Sequence, residues 1–165
     1  MEIRFEEMTP EHSEDVMDIF NYYIENSYAA YPELPLPSEF FNKFLELTKG
    51  YPAFVLKNRA SDKVIGFCFL RPYNPFPVFR HTAEITYFIE KGEVGKGVGT
   101  QALEKLEEEA RKRGIRKLLA DISSENPQSI HFHAKNGFRE CGRFHGVGQK
   151  KEKNFDVVWM EKTLM

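Results

Sequence analysis

Three glycines, Gly95, Gly97 and Gly99, lie between two segments of different periodicity. Residues 82–89 read as a β-strand, and residues 100–113 carry apolar side chains at the spacing of an amphipathic helix. Residues 116–122 then read as a second strand. A strand, a tight glycine turn, a helix and a strand form a crossover unit, so the two strands are expected to run parallel in one sheet.

The segments around this unit predict strands of the opposite kind. Residues 53–56 and 63–70 read as two strands joined by the turn at 59–62, which makes them an antiparallel hairpin. Shorter patterns predict strands at 3–6, 138–147 and 155–162, and helices that follow Thr9, Ser38 and Asn126. The order predicts an α/β (α+β) fold of three layers, with a mixed, mostly antiparallel central sheet flanked by helices on both faces.

Composition restricts the partners of this fold. The 165 residues suffice for one domain, and a net charge of -2 with 29% charged residues gives no reason to expect nucleic acid or acidic membranes as partners. No apolar run has the length of a signal peptide or of a membrane span, so a cytoplasmic protein is expected. Cys68 and Cys141 lie far apart in apolar surroundings, which predicts two reduced, buried thiols.

The glycine turn also has a chemical interpretation. It leaves several backbone N–H groups bare at the positive end of a helix, and Lys96 adds a compact positive charge, so the turn predicts a cradle for a phosphate-bearing ligand. The spacing Gly-x-Gly-x-Gly, without a following Lys-Ser/Thr, fits neither the dinucleotide nor the nucleoside triphosphate pattern. A tight turn with no ligand is the alternative.

Two segments in the right order resemble the GNAT superfamily of N-acetyltransferases. The first is Val94-Gly95-Lys96-Gly97-Val98-Gly99, similar to the family's pyrophosphate-binding turn, with Val94 where Arg or Gln is usual. The second, residues 126–138, resembles the family's second cofactor-contacting segment and includes Asn126 and Ser129. The resemblance implies acetyl-CoA as co-substrate, no metal, and a single N-acetyltransferase domain over residues 1–165.

A narrower resemblance, to the phosphinothricin and methionine-sulfoximine acetyltransferase branch, covers essentially the whole chain. It is carried by residues 79–84, by His133 and by residues 155–158, whereas Glu152-Lys153-Asn154 stands where the branch has Gly-Arg-Trp. The branch implies a homodimer, a small amino-acid-like amine as acceptor, and Glu84 as the base that takes the proton of the amine. An exposed strand charge is the alternative for Glu84.

Acetyl transfer from a thioester requires two further groups. His133, about two turns along its helix, is a candidate to protonate the leaving thiolate; a packed histidine is the alternative. A strand bulge near Tyr87, Phe88 and Ile89 is expected to leave backbone N–H groups for the acetyl carbonyl and the pantetheine arm.

The acceptor side is predicted from one proline-rich aromatic loop. Arg71, Tyr73 and Arg80 are candidates to form a lid over a small substrate, with an arginine pairing its carboxylate. Solvated loop charges are the alternative. The sequence thus predicts an acetyl-CoA-dependent N-acetyltransferase for a small primary amine. Two other functions stay open: acetylation of a protein N-terminus or lysine, and acetyl-CoA sensing without catalysis.

Overall fold

Seven strands and four α-helices follow one another in an order close to that predicted. The computed structural model describes all residues from 1 to 165. The strands are β1 (Ile3–Glu7), β2 (Ala53–Asn58), β3 (Val64–Pro72), β4 (Thr82–Ile89), β5 (Lys117–Ser123), β6 (Arg139–Lys150) and β7 (Lys153–Thr163). The helices are α1 (Ser13–Asn26), α2 (Phe41–Leu47), α3 (Val98–Lys112) and α4 (Pro127–Lys135).

The strands form one continuous sheet in the order β1-β2-β3-β4-β5-β7-β6. Every neighbouring pair is antiparallel except β4 and β5, the two strands that α3 connects. This confirms the mixed, mostly antiparallel sheet and the single parallel pair. The parallel pair requires a crossover, whereas the antiparallel pairs β2–β3 and β6–β7 are joined by short turns.

Helices cover both faces of the sheet, as predicted. Side chains on β3 alternate, so Phe67 and Phe69 face α1 and α2 while Cys68 and Leu70 face α3. Two separate apolar clusters result, one on each face. The larger cluster holds the buried stripe of α3, which consists of Val98, Ala102, Leu103, Leu106 and Ala110.

The glycine turn sets the first residue of α3. Gly97 is its N-cap with φ +81°, a left-handed conformation that costs glycine little, and the helix begins at Val98, two residues before the predicted start. Gly114, with φ +75°, follows the end of the helix and directs the chain into β5.

One prediction about the core is wrong. Cys68 is buried in β3, but Cys141 is exposed on β6, the edge strand of the sheet. Almost every residue of β6 is exposed because β6 is the edge strand and contributes no residue to the two apolar clusters, so local apolar neighbours did not indicate burial. Both cysteines are free. Separately, none of the helices combines the length and apolar character needed to cross a membrane.

Candidate active site

The sheet opens between its two parallel strands. β4 pairs with β5 only at Thr82, Ala83 and Glu84, although β4 continues to Ile89 and β5 to Ser123. Beyond Glu84 the facing edges of both strands therefore have no ladder partner across the gap. A cavity of about 660 Å³ occupies this opening. It is lined by residues of β4 and β5, of the glycine turn and α4, and of α1 with the loop that follows it.

The predicted bulge at Tyr87, Phe88 and Ile89 is absent. β4 pairs with β3 without a register shift as far as Ile89. The backbone is exposed on the other edge of β4, because β5 diverges after Glu84. The edge of β4 that faces β5 is thus open at the predicted residues, apart from the Ile89 carbonyl, which accepts from the Tyr23 hydroxyl, and strand divergence rather than an inserted residue opens it.

The glycine turn forms one end of the cavity. Val94, Gly95, Gly97 and Gly99 line it, and the first N–H groups of α3 have no partner within the helix. Lys96 does not line the cavity, since its ammonium lies 3.1 Å from a carboxylate oxygen of Glu93.

The side chain of Val98, which follows Gly97, lies in the core rather than in the cavity. The turn therefore presents backbone donors to the cavity, as a phosphate-binding turn does, and no cationic side chain.

The start of α4 forms the neighbouring wall. The Asn126 side-chain oxygen accepts a hydrogen bond from the Ser129 N–H at 3.3 Å, which caps the helix. His133 is buried, with Nδ1 2.7 Å from the carbonyl oxygen of Ser129 and Nε2 in hydrogen-bond contact with the hydroxyl of Tyr87. Burial lowers the pKa of the His133 imidazole and raises the pKa of Tyr87 well above its ordinary value. These four residues line the cavity.

Glu84 lies beside the cavity on the opposite face of β4 from Tyr87. Arg71 is directly across from it in the β3–β4 register, and its Nη2 is 3.4 Å from Glu84 Oε1. Burial raises the pKa of the Glu84 carboxyl, the Arg71 guanidinium opposes that rise, and Asp121 of β5 adds to it. Arg71 and Asp121 line the cavity, and Arg71 Nε is buried without a hydrogen-bond partner.

The structure separates the three predicted acceptor residues. Arg71 lines the cavity, whereas Tyr73 and Arg80 lie outside its wall. Tyr73 packs edge-on against Phe79 at 5.6 Å, and Arg80 donates to the carbonyl of Pro77 at 3.1 Å, so both side chains contact their own loop.

The sequence did not indicate the other residues that line the Arg71 side of the cavity. They are mainly aromatic and apolar, among them Phe20, Tyr31, Phe44, Leu47 and Phe69. They come from α1, the loop after it, α2 and β3. Asp121 was missed as well; its position after the parallel pairing of β5 is the signal that could have found it. No group of three or more His, Cys, Asp or Glu side chains is arranged to hold a metal ion.

These elements define a transferase-type cleft. One end offers backbone donors to an anion, and one wall carries Arg71, which pairs with the Glu84 carboxylate beside the cavity. The other wall carries a phenol and an imidazole.

Residues 16–138 match the model of the Acetyltransferase (GNAT) family, and the chain belongs to this family. As a family member with this cleft it is an acetyl-CoA-dependent N-acetyltransferase.

Known proteins are similar to this chain over nearly its full length. The L-methionine sulfoximine/L-methionine sulfone acetyltransferase of Pseudomonas aeruginosa is 31% identical, over 90% of this chain and 87% of its own. Two crystal structures are similar. The ribosomal-protein-alanine N-acetyltransferase from Brucella melitensis has a TM-score of 0.89 and 32% identity, covering 99% of this chain and 100% of its own. The phosphinothricin acetyltransferase from Sinorhizobium meliloti in complex with acetyl-CoA has a TM-score of 0.91 and 25% identity, covering 99% and 89%.

Proposed function

We propose that this N-acetyltransferase moves the acetyl group of acetyl-CoA directly to the α-amine of a small amino acid. The observation that carries the proposal is one cavity lined by the glycine turn, the α4 wall and Arg71, whose guanidinium pairs with Glu84 beside the cavity. The Pseudomonas relative, named for small amino-acid substrates, supports the same acceptor class. The proposal treats residues 1–165 as one catalytic domain, because a single sheet contains all seven strands.

The donor is proposed to lie along the turn and the gap between β4 and β5. Bare N–H groups from Gly95 to Gly99 hold the pyrophosphate at the N-terminus of α3. The exposed edge of β4 at Tyr87, Phe88 and Ile89 offers backbone groups to the pantetheine arm and the acetyl carbonyl. Asn126 uses its oxygen as the cap of α4, so its side-chain N–H group is free to donate to a pantetheine carbonyl near Ser129.

The acceptor is proposed to bind between Arg71 and the aromatic wall. The ammonium and carboxylate of an α-amino acid are attached to the same carbon, and Glu84 and Arg71 lie side by side at 3.4 Å. The guanidinium can therefore hold the carboxylate while Glu84 meets the amine. Phe20, Phe44 and Phe69 favour an apolar side chain on the substrate. Tyr73 and Arg80 are proposed to close over the bound acceptor from the loop between β3 and β4.

The chemistry follows from this placement. Glu84 takes a proton from the amine, and the raised pKa of its carboxyl brings it closer to the pKa of the group it deprotonates. The amine nitrogen bonds to the acetyl carbon and the bond from that carbon to sulfur breaks. The leaving thiolate needs a proton, for which we propose the α4 wall, where His133 contacts the Tyr87 hydroxyl. The thiols of Cys68 and Cys141 take no part, because burial raises the pKa of the first and the second lies on β6 outside the cavity.

A panel assay tests the proposal. Thiol release from acetyl-CoA is measured with amino acids, their phosphinic and sulfoximine analogues, polyamines and peptides. We expect turnover with small amino acids that have apolar side chains and free α-amines, and a rise in Tm with acetyl-CoA but not with NAD or ATP. Turnover with peptides alone would refute the small-amine acceptor.

Acetylation of a protein N-terminus is the second candidate, because the Brucella structure at 32% identity is named a ribosomal-protein-alanine N-acetyltransferase. Such an acceptor has no free carboxylate next to its amine, so the discriminating pair is a free amino acid against the same residue at the start of a peptide. Lysine acetylation predicts turnover with an internal lysine peptide. A sensor predicts binding of acetyl-CoA with no turnover of any acceptor.

Two further properties belong to the proposal, a homodimer and a cytoplasmic location. Support for the dimer is the edge strand β6, whose Phe144 and Val147 are both 60% exposed. Support for the location is the pair of free cysteines, which is typical of a reducing compartment. Light scattering of the purified chain measures the first, and the mass expected is twice that of the monomer.

A further inference from the structure

Tyr87 and His133 form a rigid pair across the gap between β4 and α4. Their rings stack with centroids 5.5 Å apart and planes 27° apart, and the Tyr87 hydroxyl contacts His133 Nε2. Phe132 packs edge-on against Tyr87 at 5.8 Å, and Phe138 packs edge-on against His133 at 4.9 Å. Packing on both sides holds the two rings, and the hydrogen bond between them, in one geometry at the cavity wall.

The other ring nitrogen of His133, Nδ1, determines which of the two groups donates the hydrogen bond. Nδ1 lies 2.7 Å from the carbonyl oxygen of Ser129, which can only accept, so Nδ1 carries the hydrogen. Burial lowers the pKa of His133, so the ring is neutral at neutral pH and Nε2 holds a lone pair. The Tyr87 hydroxyl therefore donates to Nε2. No N–H group of His133 points toward the cavity.

We propose that Tyr87 is the catalytic residue that protonates the leaving thiolate, and that His133 is a positioning residue that holds the Tyr87 hydroxyl. The inference rests on the proposed function, in which the thioester lies between β4 and β5. Glu84 and Tyr87 are three residues apart on β4, so their side chains leave opposite faces of the strand. The base reaches the gap from the α1 side and the acid from the α4 side.

The proton balance closes with these two groups. The amine nitrogen bonds to the acetyl carbon while Glu84 takes its proton. The electron pair of the broken carbon–sulfur bond stays on sulfur. The Tyr87 O–H, directed at His133 Nε2 in the resting protein, turns to sulfur and gives up its proton, and coenzyme A leaves as the thiol. Solvent then returns a proton to the Tyr87 phenolate and removes one from Glu84. His133 stays neutral throughout.

The acidity of Tyr87 is compatible with this step. Burial raises its pKa, and so do the two other titratable groups that face it, Cys68 of β3 and Glu107 of α3. The raised pKa keeps the Tyr87 hydroxyl protonated until the thiolate forms, so the donor still holds its proton when the carbon–sulfur bond breaks.

The test compares Tyr87→Phe with Tyr51→Phe, which removes the hydroxyl of a partly buried tyrosine outside the cavity. With the best acceptor of the panel, we expect Tyr87→Phe to lower kcat by about 100-fold and to leave the KM for acetyl-CoA within about twofold. The control is expected to stay near wild type. With acetyl-seleno-CoA, whose selenolate leaves without protonation, the loss in Tyr87→Phe is expected to shrink to about fivefold or less.

Two measurements on His133 complete the test. Because glutamine retains an acceptor, His133→Gln is expected to lower kcat by less than about tenfold, and nitrogen NMR of the wild type is expected to show Nε2 unprotonated. Equal losses with both acyl donors in Tyr87→Phe, activity equal to that of Tyr51→Phe, or a protonated Nε2 would each overturn the inference. A failure of the proposed function is distinct, since it would appear as absence of amino-acid turnover in the wild type itself.

Discussion

The two walls of the cavity are assembled in different ways. The donor wall comes from two short contiguous segments, Val94 to Gly99 and Asn126 to His133, each at the start of a helix. The acceptor wall combines α1, the loop that follows it, α2 and β3. Helix starts are encoded locally by glycines and caps, whereas a wall of four distant elements exists only after the chain has folded. A substitution in the donor wall should therefore change the KM for acetyl-CoA, and one in the acceptor wall should change the KM of the acceptor.

The largest effect is expected where the walls meet, at Glu84. Glu84→Gln keeps the shape of the side chain but removes the base, so we expect kcat to fall by about 100-fold to 10,000-fold while acetyl-CoA still raises Tm. Glu108→Gln, on the exposed side of α3, is the matched control and should leave kcat unchanged. A fully active Glu84→Gln variant would remove this residue from the mechanism.

The pH profile sharpens the same prediction. A base must be deprotonated to act, and burial raises the pKa of Glu84 above its ordinary 4.5. In the wild type, kcat should therefore fall as the pH drops through that raised pKa, with a midpoint above 4.5. The Glu84→Gln variant should lack this limb, and an identical limb in both proteins would assign it to another group.

The next largest effect is expected on the acceptor wall, at Arg71. Arg71→Met removes a charge-assisted contact to a carboxylate, which should raise the acceptor KM by roughly 10-fold to 100-fold and leave the KM for acetyl-CoA unchanged. The change also removes the cation that holds down the pKa of Glu84, so the acid limb of kcat should move to higher pH. Arg59→Met, an exposed arginine paired with Glu2, is the control. Equal changes in both KM values would contradict the division of the walls.

The sequence predicted the donor wall better than the acceptor wall, for the same structural reason. The turn at Gly95 to Gly99, the parallel pair around α3 and the Asn126 cap are local or nearly local patterns, and all are present. Tyr31 and Asp121 meet across the cavity from a loop and a central strand 90 positions apart in the chain. No spacing rule connects them.

Two wrong expectations have tertiary causes as well. Apolar neighbours predicted burial of Cys141, but β6 is the last strand of the sheet and almost all of its residues are exposed. The open backbone at Tyr87 to Ile89 was assigned to a bulge, yet β4 is regular and its neighbour β5 departs. A single strand's sequence cannot indicate what the adjacent strand does.

A smaller effect is expected at the turn. Gly97 has φ +81° and open space where a Cβ would be, so Gly97→Ala adds backbone strain of about 1 kcal/mol without a clash. Relief of that strain displaces the N–H groups of the turn, and the KM for acetyl-CoA should rise by about fivefold with the acceptor KM unchanged. Gly92→Ala is the matched control, since Gly92 also has open space and no left-handed φ. A change in the acceptor KM alone would reverse the wall assignment.

The smallest effect on turnover is expected at Lys150, far from the chemistry. Its buried ammonium donates to the carbonyls of Ile24, Ser27 and Ala30 at 2.6–2.8 Å and so holds the end of α1 and the following loop. Lys150→Met leaves those carbonyls unpaired, which should cost about 2 kcal/mol of unfolding free energy and lower Tm by roughly 4–8 °C. Scanning calorimetry of the unliganded chain measures the loss.

The same change reaches the acceptor wall through Tyr31. Tyr31 follows Ala30, stacks on Phe155 of β7 at 5.9 Å and lines the cavity, so a loosened loop should raise the acceptor KM by about two- to threefold. Lys151→Met is the matched control, because Lys151 reaches the Glu25 carbonyl from an exposed position where water can replace it. If Lys150→Met lowered Tm but raised the KM for acetyl-CoA as much as that of the acceptor, the walls would not be independent, and the loop would support the whole cleft.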